Sequence, residues 1–127
     1  MGEGLTPEIS NTWAYNGNYS LKLIRNENNR AWYRFRTSYE LQDKTITCIA
    51  KIYSPEARLS CHLLQIDNSN EALETITITV PTSDDIQTIT ITSTSLENIA
   101  EIQFNFANNT NNTNSAFYID DIWITAQ

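Results

Sequence analysis

Phe117-Tyr118-Ile119-Asp120-Asp121-Ile122-Trp123-Ile124-Thr125 is the stretch that decides how this chain folds. Its flanks are apolar or aromatic, as in a strand buried in the middle of a sheet, yet two consecutive carboxylates lie inside it. Simple alternation puts Phe117 and Ile119 on one face and Ile122 and Ile124 on the other, so the apolar parity switches between residues 119 and 122. A β-bulge at Asp120-Asp121 returns all four to one core side and turns at least one carboxylate toward a local partner. An inward carboxylate must be protonated, hydrogen-bonded or bound to a cation, since leaving it bare costs on the order of several kcal/mol. A solvent-facing pair at a sheet edge needs none of these, and both readings stand at this point.

Working outward, the rest of the chain alternates with the same period of two. Pro7 confines residues 1–10 to an edge strand or lead-in. Past the Asn16-Gly17 turn, Tyr19, Leu21 and Leu23 alternate with Ser20 and Lys22. Ala31, Tyr33 and Phe35 then alternate with Trp32, Arg34 and Arg36. Ile46, Cys48, Ala50 and Ile52 form an inner row, which Ser54-Pro55-Glu56 ends. Leu59, Cys61 and Leu63 point inward from the next run, leaving Ser60, His62 and Leu64 outside. Leu73–Val80 and Ile86–Thr92 are Thr/Ile alternations separated by Pro81–Asp85, a strand, turn, strand signal. Ile102, Phe104 and Phe106 read as inner residues, opposite Glu101, Gln103 and Asn105. The Asn/Thr-rich run from Asn108 to Ser115 reads as a solvent loop. Trp13 and Trp123 are expected to cap or line the core. No window carries a 3.6-residue period, so the fold expected is all-β, a two-sheet antiparallel β-sandwich of jelly-roll type with eight or nine strands.

Composition narrows the function. The chain has 127 residues, which implies a single domain over 1–127, expected to be excised from a longer protein. A net charge of -7 disfavours phosphate backbones, so nucleic acid is not an expected partner. No apolar run approaches the roughly 18 residues that span a bilayer, and no membrane partner is expected. Cys48 and Cys61 fall on core-facing positions, where buried free thiols are the default and a disulfide requires close strands. No Cys or His cluster has zinc spacing.

Ser10-Asn11-Thr12-Trp13-Ala14-Tyr15-Asn16-Gly17-Asn18-Tyr19-Ser20-Leu21-Lys22-Leu23 resembles the early signature of jelly-roll carbohydrate-binding modules of the galactose-binding-domain-like type. In these modules a Gly-x-x-Ser-Leu-Lys strand follows a short turn. Phe117–Ile124 resembles their closing strand. The resemblance implies a structural calcium at the sandwich edge, held by Asp120, the Asn18 carbonyl and an acidic residue near the start. The family's acidic N-terminal motif is missing or truncated here, and Glu8 takes the third place. Oxygen ligands of this kind suit calcium.

The jelly roll also implies that, counting from the strand at Tyr19, the second, seventh, fourth and fifth strands share a sheet. Their outward residues then become neighbours: Trp32, Arg34 and Arg36; Glu101, Gln103 and Asn105; Ser60, His62 and Leu64; and Thr75, Thr77 and Thr79. A flat indole packs on the apolar face of a sugar ring, while Arg, His, Gln, Asn and Glu exchange hydrogen bonds with its hydroxyls. The bland counterpart is that Trp32 only packs and the arginines only pair with Glu101. His62 is the sole histidine, and no motif places a nucleophile beside it, so no enzymatic activity is expected. The function expected is a non-catalytic module that tethers a larger secreted or cell-surface protein to a polysaccharide. The competing reading is a structural or adhesion β-sandwich that docks a protein partner.

Overall fold

The computed structural model describes residues 2–3, 5–10, 17, 20–25, 32–38, 41–110 and 114–127. Trp13, Asn18 and Tyr19 lie outside the described residues. Those described form ten strands: β1 (Gly2–Glu3), β2 (Leu5–Ser10), β3 (Ser20–Arg25), β4 (Trp32–Thr37), β5 (Thr45–Ser54), β6 (Leu59–Asp67), β7 (Ala72–Val80), β8 (Ser83–Thr94), β9 (Ile99–Asn108) and β10 (Ala116–Ala126). One sheet has the order β1-β4-β9-β6-β7 and the other β2-β3-β10-β5-β8, every pairing antiparallel. The expected neighbours at Trp32, Ile99, Leu59 and Ala72 do share a sheet, with two-residue β1 added at the edge. Pro7 lies in β2, an edge strand, where its missing N–H removes no ladder bond from the interior.

Alternation makes the sandwich. Ile46, Cys48, Ala50 and Ile52 of β5 face Leu59, Cys61 and Leu63 of β6 and Ile102, Phe104 and Phe106 of β9, all fully buried. The rings of Phe104 and Phe106 lie 4.6 Å apart, and Phe35 meets Phe106 edge-on at 5.9 Å.

The central strand β10 carries the bulge that its sequence requires. Asp120 pairs with Lys51 and Trp123 with Ile49, so Asp121 and Ile122 together oppose the single residue Ala50. Asp121 takes a φ of 51°, and its N–H donates to Asp120 Oδ1 at 2.9 Å. Phe117 and Ile119 before the bulge are buried, and Ile122 and Ile124 after it pack against the same core. The same shift corrects the reading of Trp123. Once its isoleucine neighbours turn in, the indole must turn out, and it is 58% exposed.

Three further features shape the sandwich. The Pro81-Thr82 link joins strands of opposite sheets, so β7 and β8 turn a corner between layers, as the implied sheet order requires. Asn108 and Ser115, the ends of the expected solvent loop, are both buried. Asn108 Nδ2 donates to Ser115 Oγ at 3.1 Å, the carbonyl of Asn108 accepts from the buried Arg25 guanidinium, and Arg25 N donates to the Ser115 carbonyl at 2.8 Å. Gln65 continues the inward row of β6 as a polar residue with no exposed surface. Its Nε2 reaches Glu74 Oε1, Ser93 Oγ and the Thr94 carbonyl at 3.2, 3.1 and 2.9 Å, and its Oε1 accepts from Leu96 N at 2.9 Å. This amide ties the end of β6 to the end of β8 in the opposite sheet.

Gln65→Leu keeps the volume but strands those partners in a dry environment, and is expected to lower unfolding free energy by about 2 kcal/mol or more, read from a urea transition. Cys48 and Cys61 are both free and buried, and desolvation pushes each thiol pKa up to about 12. Native protein at pH 8 is expected to resist an aromatic disulfide reagent, both thiols reacting only on unfolding. Because the folded values lie above the ordinary value of 9.0, this contribution to stability is full below pH 9 and declines between pH 9 and about 12.

Candidate functional site

With the inner parity of β4, β9 and β6 committed to the core, the alternate side chains must face outward, and the antiparallel register sets them in rows. Trp32, Ala107, Ser60 and Thr79 form one row; Arg34, Asn105, His62 and Thr77 the next; Arg36, Gln103, Leu64 and Thr75 the third. Glu101 follows, opposite Ile66. Strands about 4.8 Å apart therefore bring Trp32, Arg34, Arg36, His62, Glu101, Gln103 and Asn105 onto one outer face, although they come from three separate parts of the chain.

Trp32 is half-buried on that face, and the Arg34 guanidinium carbon lies 4.6 Å from the centre of its ring. The polar groups along β9 are linked in series. Asn105 Nδ2 donates to Gln103 Oε1 at 3.4 Å, Gln103 Nε2 donates to Glu101 Oε1 at 3.3 Å, and Arg36 Nη1 lies 3.7 Å from the same carboxylate oxygen. Gln103 is buried beneath its neighbours, whereas the Arg36 side chain is 51% exposed. Two buried polar atoms in the middle row have no hydrogen-bond partner among the described residues: Arg34 Nε, a donor, and Asn105 Oδ1, an acceptor. Where β4 and β9 run out, the face continues into a depression of about 500 Å³ bordered by Arg36, Ser38, Asn68, Asn70 and Glu101. Asp67 holds the loop beside it by accepting from Ser69 N and Glu71 N, each at 2.9 Å.

His62 hydrogen-bonds Ser60 Oγ through Nε2 at 3.0 Å and Thr77 Oγ1 through Nδ1 at 2.9 Å. A Ser-His pair invites comparison with a catalytic one, but a hydroxyl stands at Nδ1 where a triad places its carboxylate. Desolvation lowers the His62 pKa, so the ring is neutral at pH 7 and serves as one donor and one acceptor.

The calcium set implied by the resemblance fares differently for each residue. Asp120 stands at the bulge with Oδ1 engaged by Asp121 N–H, and Asn18 lies outside the described residues. Glu8 is exposed on edge strand β2, in a row with Lys22 and Tyr118, and so is set two residues away from the level of Asp120 with two strand spacings between them. The Lys22 ammonium lies 5.7 Å from the Tyr118 ring. Glu8 therefore does not fit an oxygen cage built around Asp120, and no group of three His, Cys, Asp or Glu that could hold a metal gathers among the described residues.

No family model matches the chain, and no curated protein matches its sequence. Solved structures do match its shape. The enzymatically active domain of tailspike protein 4 from bacteriophage CBA120 superposes with a TM-score of 0.80 at 11% identity, over 100% of this chain and 18% of the tailspike chain. The CBM22-1 xylan-binding domain of Paenibacillus barcinonensis Xyn10C superposes with a TM-score of 0.73 at 13% identity, covering 99% of this chain and 84% of that one. TmCBM61, solved with β-1,4-galactotriose, gives 0.65 at 11% identity, over 100% and 86%. The chain thus spans under a fifth of the tailspike and nearly the whole of the two modules. At such identities the likeness is one of fold, the β-sandwich of carbohydrate-binding modules.

The His62 environment yields a test of the face. Its NMR titration midpoint is expected below the ordinary 6.5. Since the depressed value belongs to the folded state, the stability linked to this ring is present above pH 6.5 and is lost as pH falls through the folded pKa. Thr77→Val is expected to shift the midpoint by removing the Nδ1 partner.

Proposed function

We propose that the outer face of the β1-β4-β9-β6-β7 sheet binds a glycan, and that the chain is a non-catalytic carbohydrate-binding module. In this reading it tethers a larger secreted or cell-surface protein to a polysaccharide. The observation that carries the proposal is the placement of a half-buried indole at one end of a continuous run of amide, imidazole, guanidinium and carboxylate groups on a single face. Sugars need both surfaces: axial hydrogens form an apolar patch that an aromatic ring covers, and hydroxyls in the ring plane need donors and acceptors. The depression beyond Arg36 and Glu101 lengthens the face enough to accept a chain instead of one sugar. Likeness of fold to a xylan-binding domain and to a module solved with galactotriose supports the same reading.

A second reading is favoured by Trp123. This indole stands 58% exposed on the opposite outer face, beside Ile49 and Thr90, where a protein partner could be docked. The two readings separate by mutation. Trp32→Ala is expected to weaken retention in a polysaccharide-containing native gel by about tenfold or more, with the melting temperature little changed because the ring lies outside the core. Trp123→Ala is expected to leave that retention intact. Retention surviving Trp32→Ala, or the absence of binding across a broad glycan array, overturns the module proposal.

A further inference from the structure

We infer that the glycan taken by this face is anionic, and that Arg34 is the residue that recognises its negative group. The inference rests on the glycan reading above and deepens it. The chain carries 15 acidic and 8 basic residues, so an arginine close to carboxylates should be easy to pair. Arg36 does pair, with Glu101, and Arg25 is bonded to the Asn108 carbonyl. Arg34, half-buried on the sheet face, forms neither a hydrogen bond nor an ion pair with any described residue. Its guanidinium lies against the ring of Trp32.

A guanidinium drawn partly out of water without a counter-charge is costly. Here the Trp32 ring offsets part of that cost, and no described carboxylate offsets the rest. Glu101 is engaged by Arg36, so the surface between Trp32 and Gln103 has one unmatched positive charge on a protein whose net charge is -7. Arg34 and Asn105 are direct partners across β4 and β9, one holding a donor without an acceptor and the other an acceptor without a donor, yet they do not bond each other. The guanidinium is held on the indole instead. A sugar bearing a carboxylate or sulfate supplies the counter-charge that this guanidinium lacks. Its anion takes the terminal N–H groups of Arg34, and hydroxyls on the same ring bond the amides of β9 beside it. Neutral sugars of the same chain then run past Gln103 toward the depression at Arg36.

The test is calorimetric titration with oligosaccharides of a glucuronate-bearing polysaccharide, the same material after its carboxyls are reduced to alcohols, and a sulfated glucan beside its unsulfated parent. Wild-type protein is expected to favour the charged member of at least one pair by about tenfold. Arg34→Gln is expected to bring that ratio close to one, and Arg34→Lys to give an intermediate ratio, because the charge stays and the fork is lost. Lys51→Gln, on the opposite outer face, should keep the wild-type ratio, which separates Arg34 from a general loss of positive charge. The carboxylate and sulfate pairs report which anion is read, and preference for either supports the inference. Equal affinity for charged and uncharged members, or a ratio unchanged in Arg34→Gln, overturns it while leaving neutral-glycan binding in place. No binding of any oligosaccharide overturns both this inference and the module proposal.

Discussion

The sandwich depends on a one-residue correction in its most central strand. β10 is hydrogen-bonded to β3 on one side and β5 on the other, so its side-chain parity is imposed on the whole sheet. Without an extra residue, one half of the strand would send isoleucines to water and turn an indole inward. Asp121 supplies the correction by adopting a φ of 51°, a conformation that aspartate tolerates better than most residues because its short polar side chain can bond locally. The carboxylate of Asp120 then accepts the N–H of Asp121. The acidic pair inside an apolar strand thus has a backbone role at the bulge.

Once both sheets seal the core, the chemistry of the outer faces follows from what remains. The face of β4, β9 and β6 receives an indole, two guanidinium groups, an imidazole and a line of amides, whereas the outer face of β5 and β8 receives mostly threonine. Identical architecture leaves one side able to exchange many directional hydrogen bonds and the other comparatively uniform. The desolvated, neutral His62 belongs to the first kind, since it offers a donor and an acceptor without presenting charge.

Much of this was legible in the chain. Period-two alternation located β3 to β10, and the parity conflict at Ile119 and Ile122 disclosed the bulge before any coordinates. The order of strands in the sheet followed from a family resemblance, because pairings such as Trp32 with Ala107 are remote in sequence and leave no local trace. Two features stayed hidden for physical reasons. Gln65 and Arg25 are polar residues buried by partners far along the chain, and composition alone places such residues at the surface. Trp123 reads by its hydrophobicity as capping or lining the core, although the same bulge that rescues its neighbours forces it out. The corner at Pro81-Thr82 has no local mark, and only the family's sheet order, which groups the fifth strand with the second and leaves the sixth out, implies it.

The central place of β10 also constrains the order in which this fold can be made. The strand that separates β3 from β5 is the last of the ten to leave the ribosome, so a nascent chain emerges with both of those edges open. The β6-β9 and β4-β9 ladders have all their residues available earlier, which allows the β1-β4-β9-β6-β7 sheet to assemble first as a platform with an exposed greasy underside. Completion then waits for residues 116–126 to slot between two strands synthesised long before, an event of high sequence separation and hence slow closure. During that interval the chain is most vulnerable to sticking to its neighbours, and a cell that makes it quickly must shield the half-built layer.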